Sequence, residues 1–180
     1  FASAGTAFAL EPTDEFYVND YVGVLSSRDA DYLIQRGRNL HAQNGVQVVV
    51  VIVDNYIGET MDAFANKVFN DFGIGAEDYD TGILLIVAVD DGEVRIELGD
   101  GVTGQISDSK AGKILDDYFL PDAQEGDLAS AVYRTYVQLI QEGSRLDTPG
   151  GSDGDGSSGS LIASVIGIIC LVVAIAAIVL

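Results

Sequence analysis

Two short runs of apolar residues, with a helical pattern between them, constrain the fold of this chain more than any other feature. Residues 46–53 are apolar except for Gln47, and residues 83–89 are apolar throughout. Strands without a polar face are typical of a sheet that helices cover on both sides. Residues 61–72 place apolar side chains along one face of a helix. This strand–helix–strand unit is expected to be parallel, with a right-handed crossover.

The flanking sequence predicts a hairpin and a helix before the first apolar run. After the turn signal at residues 90–92 (Asp-Asp-Gly), apolar and charged residues alternate over 94–98, which indicates a half-exposed antiparallel strand. A helix is predicted to start at Ser26, where Asp29 three residues later indicates a capping box. Gly45 can end this helix.

The last part of the folded segment predicts two further helices. The first starts near Ser107 and ends before Pro121, and the second runs from about Asp127 to Glu142. A short first strand near residues 16–18 or 21–22 is expected at a sheet edge. The predicted fold class is therefore α/β: an α-β-α sandwich around a mixed central sheet of about four strands, plus one C-terminal transmembrane helix.

The two ends of the chain predict a membrane anchor. Residues 161–180 carry no charge and, as a helix, would span about 30 Å, the thickness of a hydrocarbon core. Residues 148–160 are rich in Gly, Ser and Asp and predict a flexible linker. Residues 1–10 contain small-x-small patterns and are interpreted as a signal-peptide remnant. The α/β domain, residues 11–147, is then expected at the cell membrane, outside the cytoplasm.

The charge and composition of the chain disfavour several classes of function. Lys and Arg number 9 against 28 Asp and Glu, a formal net charge of −19, which repels phosphate backbones and makes nucleic acid an unsuitable partner. One His and one Cys cannot form a His/Cys zinc centre or an intramolecular disulfide. His41 lies near the end of the first predicted helix, where the helix dipole favours a surface or capping role. Acid-rich sites instead suit hard cations with oxygen ligands.

A glycine-rich segment at residues 99–104 matches the G-x-G-x-x-G pattern of dinucleotide sites. Nucleotide binding is nevertheless disfavoured, because the preceding strand is the second arm of a hairpin. Asp100 also places a carboxylate where a pyrophosphate would sit. The alternative is a loop whose glycines adopt positive φ angles. No nucleotide is therefore expected as a ligand.

Acidic residues concentrate around the predicted hairpin. Residues 71–127 contain fifteen acids and three bases, a density that is costly unless the acids are dispersed or a cation neutralises them. Asp80 precedes one hairpin strand and Asp100 follows the other, so both should lie at one end of the sheet. Four further aspartates lie nearby in the sequence: Asp78, Asp108, Asp116 and Asp117. All six are candidate ligands of a divalent cation. The alternative to a cation site is that these acids are dispersed over the surface. For Asp108, a role as a helix N-cap is a further alternative.

Four stretches together resemble the TPM domain family, named after a thylakoid lumen protein, a photosystem II repair protein and a nematode receptor-modulating protein. They are residues 17–26 (YVNDYVGVLS), 63–75 (AFANKVFNDFGIG), 80–101 (DTGILLIVAVDDGEVRIELGDG) and 106–127 (ISDSKAGKILDDYFLPDAQEGD). Bacterial members often combine a signal peptide, this domain, a transmembrane helix and a Gly-rich stretch. The predicted layout of this chain resembles that arrangement.

The resemblance implies an α-β-α sandwich, binding of calcium or another divalent cation in some members, and acid phosphatase activity proposed for a plant member. Asp80 and Asp108 lie in matching motifs, whereas Asp100 and Thr103 replace the Tyr and Glu of the family's G-Y-G-L-E-G loop. We therefore expect a membrane-anchored extracytoplasmic module that binds a divalent cation, Ca²⁺ before Mg²⁺. It is expected to act through an unidentified protein partner in envelope maintenance or complex assembly. The alternative function is a metal-assisted acid phosphatase, for which no catalytic residue is assigned.

Overall fold

The computed structural model describes residues 10–75 and 79–148 of the 180-residue chain. Within these residues the sheet has four strands: β1 (Val18–Asp20), β2 (Gln47–Val53), β3 (Gly82–Ala88) and β4 (Glu93–Leu98). The α-helices of the described residues are α1 (Ser27–Asn44), α2 (Met61–Asp71), α3 (Asp100–Thr103), α4 (Asp108–Ile114), α5 (Leu120–Gln124) and α6 (Leu128–Gly143). A π-helical turn, Leu115–Phe119, joins α4 to α5. The predicted mixed α/β fold with a sheet of four strands is confirmed.

The sheet is mixed, and its strands lie side by side in the order β1-β2-β3-β4. The first three strands are parallel, with Val50 of β2 opposite both Val18 and Leu85. β4 runs antiparallel to β3, with Ile96 opposite Leu85. The two long apolar strands therefore occupy the centre, and β1 and β4 form the two edges.

Alternate residues of the central strands point into two separate layers of helices. Val48, Val50 and Ile52 belong to a core shared with α1, α4 and α6, whereas Val49 and Val51 pack with side chains of α2. Every residue of β2 and of β3 is buried. Helices thus cover both faces of the sheet, as the two unbroken apolar runs predicted.

Capping residues mark the start of α1, α2 and α6 and the end of α1. The Ser26 hydroxyl accepts a hydrogen bond from the Asp29 N–H at 3.2 Å at the start of α1, and Gly45, with φ of 76°, ends that helix. Thr60 and Asp127 cap α2 and α6 in the same way, each accepting from the N–H three residues later. The predicted limits of these helices agree with the structure.

The prediction that a helix ends before Pro121 is wrong. α4 passes into the π-helical turn and then into α5, with Pro121 in the first turn of α5. Proline is tolerated there because a first-turn N–H has no partner within its helix. The short helix α3, which begins directly after Gly99, is a further element that no sequence pattern predicted.

Three predicted segments lie wholly or largely outside the described residues. They are the signal-peptide remnant 1–10, the linker 148–160 and the transmembrane helix 161–180. Between residues 10 and 148, leaving aside 76–78, no helix is both long and apolar enough to cross a bilayer. The membrane anchor therefore stays a prediction from the sequence.

Candidate functional site

The end of the sheet where β2 and β3 begin and β4 ends brings two of the predicted ligands together. We call it the amino end. The Asp100 N–H donates a hydrogen bond to Oδ2 of Asp80 at 2.9 Å, and the Gly101 N–H donates to the Asp80 carbonyl oxygen at 3.1 Å. Asp80 has φ of 51°, a left-handed conformation that Asp adopts more readily than most residues. One residue therefore ties the turn before β3 to the helix after β4.

Two glycines of the G-x-G-x-x-G pattern permit this close approach. A Cβ atom on Gly99 would lie 2.7 Å from Oδ1 of Asp80 and nearer still to the Asp80 carbonyl oxygen. A Cβ atom on Gly101 would collide with the Tyr79 carbonyl oxygen. None of Gly99, Gly101 and Gly104 has a positive φ, so the expectation of positive φ angles is wrong. The first two positions require glycine because two backbone segments touch there.

The contacts with Asp80 also use the backbone N–H groups that a bound phosphate would need. The N–H groups of Asp100 and Gly101 stand at the start of α3, which has four residues. Both already donate to Asp80. The glycine-rich segment therefore serves contacts within the chain, and the expected lack of a nucleotide ligand stays a prediction.

Asp108 lies at a different place, beside Arg95. The two residues line a cavity of about 260 Å³ between β4 and α4. The helix N-cap is Ser107, whose hydroxyl accepts from the Lys110 N–H at 3.2 Å, and Asp108 is the first helical residue. The alternative that made Asp108 the N-cap is therefore wrong.

The Arg95 guanidinium forms ion pairs with two acidic side chains. Its nitrogen atoms lie 2.5 Å from Asp62 and 2.8 Å from Glu97. Burial by itself lowers the pKa of Arg95, but the hydrogen bond to Glu97 and the negative charges of Glu97, Asp62 and Asp108 raise it overall. Arg95 therefore stays charged and offsets part of the negative charge around this cavity.

Asp116 and Asp117 are exposed residues of the π-helical turn. The Asp117 carboxylate accepts a hydrogen bond from the Lys113 ammonium at 2.8 Å, and this bond raises the pKa of Lys113. Asp78, the sixth predicted ligand, lies outside the described residues. Across residues 10–75 and 79–148, no three Asp, Glu, His or Cys side chains are placed so that they could hold a metal ion. Of the predicted ligands, the structure joins Asp80 and Asp100.

The opposite, carboxyl end of the sheet carries acidic residues that the sequence reasoning did not select. Asp20, Asp54 and Asp90 each end or follow one of the parallel strands. The sequence positions of these aspartates could have indicated that they lie together, because the carboxyl ends of parallel strands meet at one end of a sheet. The Asp20 carboxylate accepts N–H groups from Gly23 and Leu25, each at 2.8 Å. Asp20 therefore shapes the turn after β1.

Tyr56 donates hydrogen bonds to two further acidic residues at this carboxyl end. Its N–H donates to Asp91 at 3.1 Å, and its hydroxyl donates to Glu93 at 2.6 Å. The hydrogen bond to Glu93 is the main cause that raises the pKa of Tyr56 to about 12. These carboxylates hold the 54–60 loop against the hairpin.

Most of the described residues match the sequence pattern of one known family. The sequence profile of the TPM domain matches residues 18–142, which extend from the first residue of β1 into α6. The chain belongs to the TPM domain family. The resemblance seen in the sequence is thereby confirmed, and all of β1–β4 and α1–α5 lie inside the TPM match. None of the curated proteins compared with this chain matches it.

Solved structures share the fold of this TPM domain. The N-terminal domain of a P. gingivalis protein is 25% identical, with a TM-score of 0.65 over 71% of this chain and 82% of that one. The BA42 protein of the psychrophilic bacterium Bizionia argentinensis is 16% identical, with a TM-score of 0.53 over 67% and 79% of the two chains. The N-terminal domain of the cg2496 protein from Corynebacterium glutamicum is 15% identical, with a TM-score of 0.55 over 87% and 90%. The last two show similarity of fold alone.

Proposed function

We propose that this TPM domain binds a divalent cation, Ca²⁺ before Mg²⁺, at the amino end of its sheet. The observation that carries the proposal is the junction of Asp80 with Asp100, through the hydrogen bond from the Asp100 N–H to the Asp80 carboxylate. Carboxylate and backbone carbonyl oxygens are the ligands that Ca²⁺ prefers. Within the described residues, no ion pair neutralises either aspartate.

The donor set of the described residues predicts weak binding. It offers two carboxylates, of which Oδ2 of Asp80 already accepts a hydrogen bond, and no third acidic side chain that could complete a metal site. Water and backbone oxygens would have to supply the other ligands, so we expect a Kd of about 10⁻⁴–10⁻³ M, the range of low-affinity Ca²⁺ sites. Asp78, Asp108, Asp116 and Asp117 stay predicted contributors.

Calorimetric titration with CaCl₂ and MgCl₂ tests the cation site. We expect saturable Ca²⁺ binding that the double variant Asp80→Asn, Asp100→Asn weakens by about tenfold or more, since both carboxylate charges are removed. The matched control is Asp14→Asn with Asp31→Asn, two exposed aspartates on the N-terminal segment and α1. Equal weakening in both double variants would show a general charge effect and contradict the site.

The remaining predicted ligands require separate variants. Asp108→Asn tests the aspartate beside Arg95, and Asp116→Asn with Asp117→Asn tests the π-helical turn. Asp78→Asn tests the residue outside the described ranges. Loss of Ca²⁺ binding in one of these variants, with normal binding in the Asp80, Asp100 variant, would move the site away from the amino end.

We propose in addition that the domain is held outside the cytoplasm by a helix at residues 161–180 and acts through a protein partner in envelope maintenance or complex assembly. The uncharged run of about 30 Å supports the anchor. Protection of this segment and digestion of the domain by protease added outside intact cells would test the orientation. Acid phosphatase activity stays a prediction.

A further inference from the structure

The outer edge of β4 carries backbone groups without partners. The Gly99 N–H bonds to the Gly82 oxygen at 2.9 Å, and bonded pairs alternate along an antiparallel ladder. In the register of β3 with β4, the N–H and C=O groups of Val94, Ile96 and Leu98 therefore face away from the sheet. In the part of the chain that the structure describes, no hydrogen bond satisfies them. Such an edge is a template for a further strand.

A groove runs beside this edge, and both apolar residues and the charged residues Arg95 and Asp108 line it. It is the cavity of about 260 Å³ between β4 and α4, and its lining includes Val94 and Ile96 from the strand and Ala111, Gly112 and Leu115 from the helical side. Val94 and Ile96 lie two positions apart and so point to the same face of the sheet. A strand added outside β4 would place every second side chain into the groove.

Gly112 keeps the groove open without any structural need within the domain. Its φ is not positive, and a Cβ atom at this position would meet no atom within 4 Å. Glycine inside a helix is destabilising relative to alanine. The packing of the described residues therefore does not explain this glycine, whereas close approach of another backbone would.

The charges on the two faces of the β4 edge favour a basic occupant. Asp108 lines the groove. Glu93 and Glu97 alternate with Val94 and Ile96 along β4, so they lie on the other face of the sheet, beside every second side chain of an added strand. Arg95, the basic residue of β4, is already paired with Asp62 and Glu97. A second copy of the chain would bring another net charge of −19 to this surface, so electrostatic repulsion disfavours self-pairing.

We propose that the β4 edge binds an extended segment of a partner protein, in which apolar residues alternate with Lys or Arg, as a fifth strand of the sheet. Backbone hydrogen bonds to Val94, Ile96 and Leu98 would provide affinity, and the groove beside Gly112 would select the apolar side chains. This inference rests on the protein-partner part of the proposed function and is independent of the cation site.

The probe is a fluorescent peptide of about nine residues that alternates Lys with Val, long enough to match one strand. Its binding to the full chain is measured by anisotropy in buffer with EDTA, so that failure of the Ca²⁺ site cannot affect the result. We expect saturable binding. A peptide of the same sequence, N-methylated along one edge, should bind about tenfold more weakly or worse, because three backbone hydrogen bonds are lost. A peptide with Glu in place of Lys should not bind.

The variant Gly112→Leu fills the groove without changing the charge. We expect peptide affinity to fall by about tenfold or more, while the thermal midpoint stays the same or rises. Gly104→Leu is the matched control, because a Cβ at Gly104 also meets no atom within 4 Å and Gly104 does not line the groove. Equal binding by Gly112→Leu, or by the N-methylated peptide, would overturn the proposal. Self-association of the chain that Gly112→Leu abolishes would assign the edge to a second copy and overturn it as well.

Discussion

The junction at the amino end of the sheet can be tested by adding a single methyl group. Gly99→Ala places a Cβ atom 2.7 Å from Oδ1 and 3.0 Å from the carbonyl carbon of Asp80, where ordinary contacts of such atoms exceed about 3.4 Å. Both neighbouring segments are held by hydrogen bonds. The Gly99 N–H is bonded to the Gly82 oxygen and the Asp100 N–H to the Asp80 carboxylate, each at 2.9 Å. One of the two segments must therefore shift to accommodate the methyl group, which strains or breaks a hydrogen bond.

The expected loss of stability follows from these contacts. Forced displacement in a closely packed region typically costs about 1–3 kcal/mol, and each hydrogen bond that breaks adds about 0.5–1.5 kcal/mol. We expect Gly99→Ala to lower the free energy of unfolding by about 2–4 kcal/mol. This is a large fraction of the stability of a domain of this size.

Urea unfolding of residues 10–148, followed by far-ultraviolet circular dichroism, measures the change. Gly104→Ala is the control, since it makes the same substitution five residues away where a Cβ has open space and φ is −68°. The control should be neutral or more stable by up to about 1 kcal/mol. If the two variants unfold within about 0.5 kcal/mol of each other, close contact at Asp80 is not the reason for Gly99.

Two further predictions concern α6. Tyr136→Phe should lower the free energy of unfolding by about 1–3 kcal/mol in the same assay. The fully buried Tyr136 hydroxyl donates a hydrogen bond to the Val48 carbonyl oxygen at 2.8 Å, and the variant loses it. An unchanged urea midpoint would contradict this role. Hydrogen bonds from the Ser130 N–H and hydroxyl lower the pKa of Asp127 below 3.8. The charge of Asp127 therefore stabilises the fold above that pH, and this stabilisation is lost as pH falls through the pKa of the folded state. Asp127→Asn should therefore have a lower urea midpoint than the native chain at pH 6, and the difference should shrink below pH 3.8; a constant difference would show that the charge is not involved.

Most of the fold could be predicted because its signals are local. The apolar runs at 46–53 and 83–89 specified strands buried on both faces, and Ser26 and Gly45 marked the limits of α1 through capping chemistry. Pro121 misled because its effect depends on position: in the first turn of α5 it interrupts nothing. The π-helical turn before it depends on packing along the whole helical segment, which residue spacing does not reveal.

The candidate site was only partly predictable because its residues are related by different kinds of geometry. Asp80 and Asp100 flank a hairpin, and hairpin pairing fixes which residues share an end of the sheet. The position of Asp108 depends on how α4 leaves the loop after α3, and that direction is set by tertiary packing. Asp116 and Asp117 lie further along the same helical segment, so their positions depend on the same packing. Sequence distance was therefore a poor measure of spatial distance beyond the hairpin.

The glycines of this chain show why a residue type alone does not identify a site. Gly45 is required by its φ of 76° at the end of α1, and Gly99 by the approach of Asp80. Gly112 satisfies neither condition, since its φ is not positive and its surroundings are open. A glycine that the packing of the domain does not require, inside a helix and beside the open outer edge of β4, says more about binding than the G-x-G-x-x-G pattern at residues 99–104. The pattern is explained by contacts within the fold, whereas the proposed fifth strand would explain Gly112.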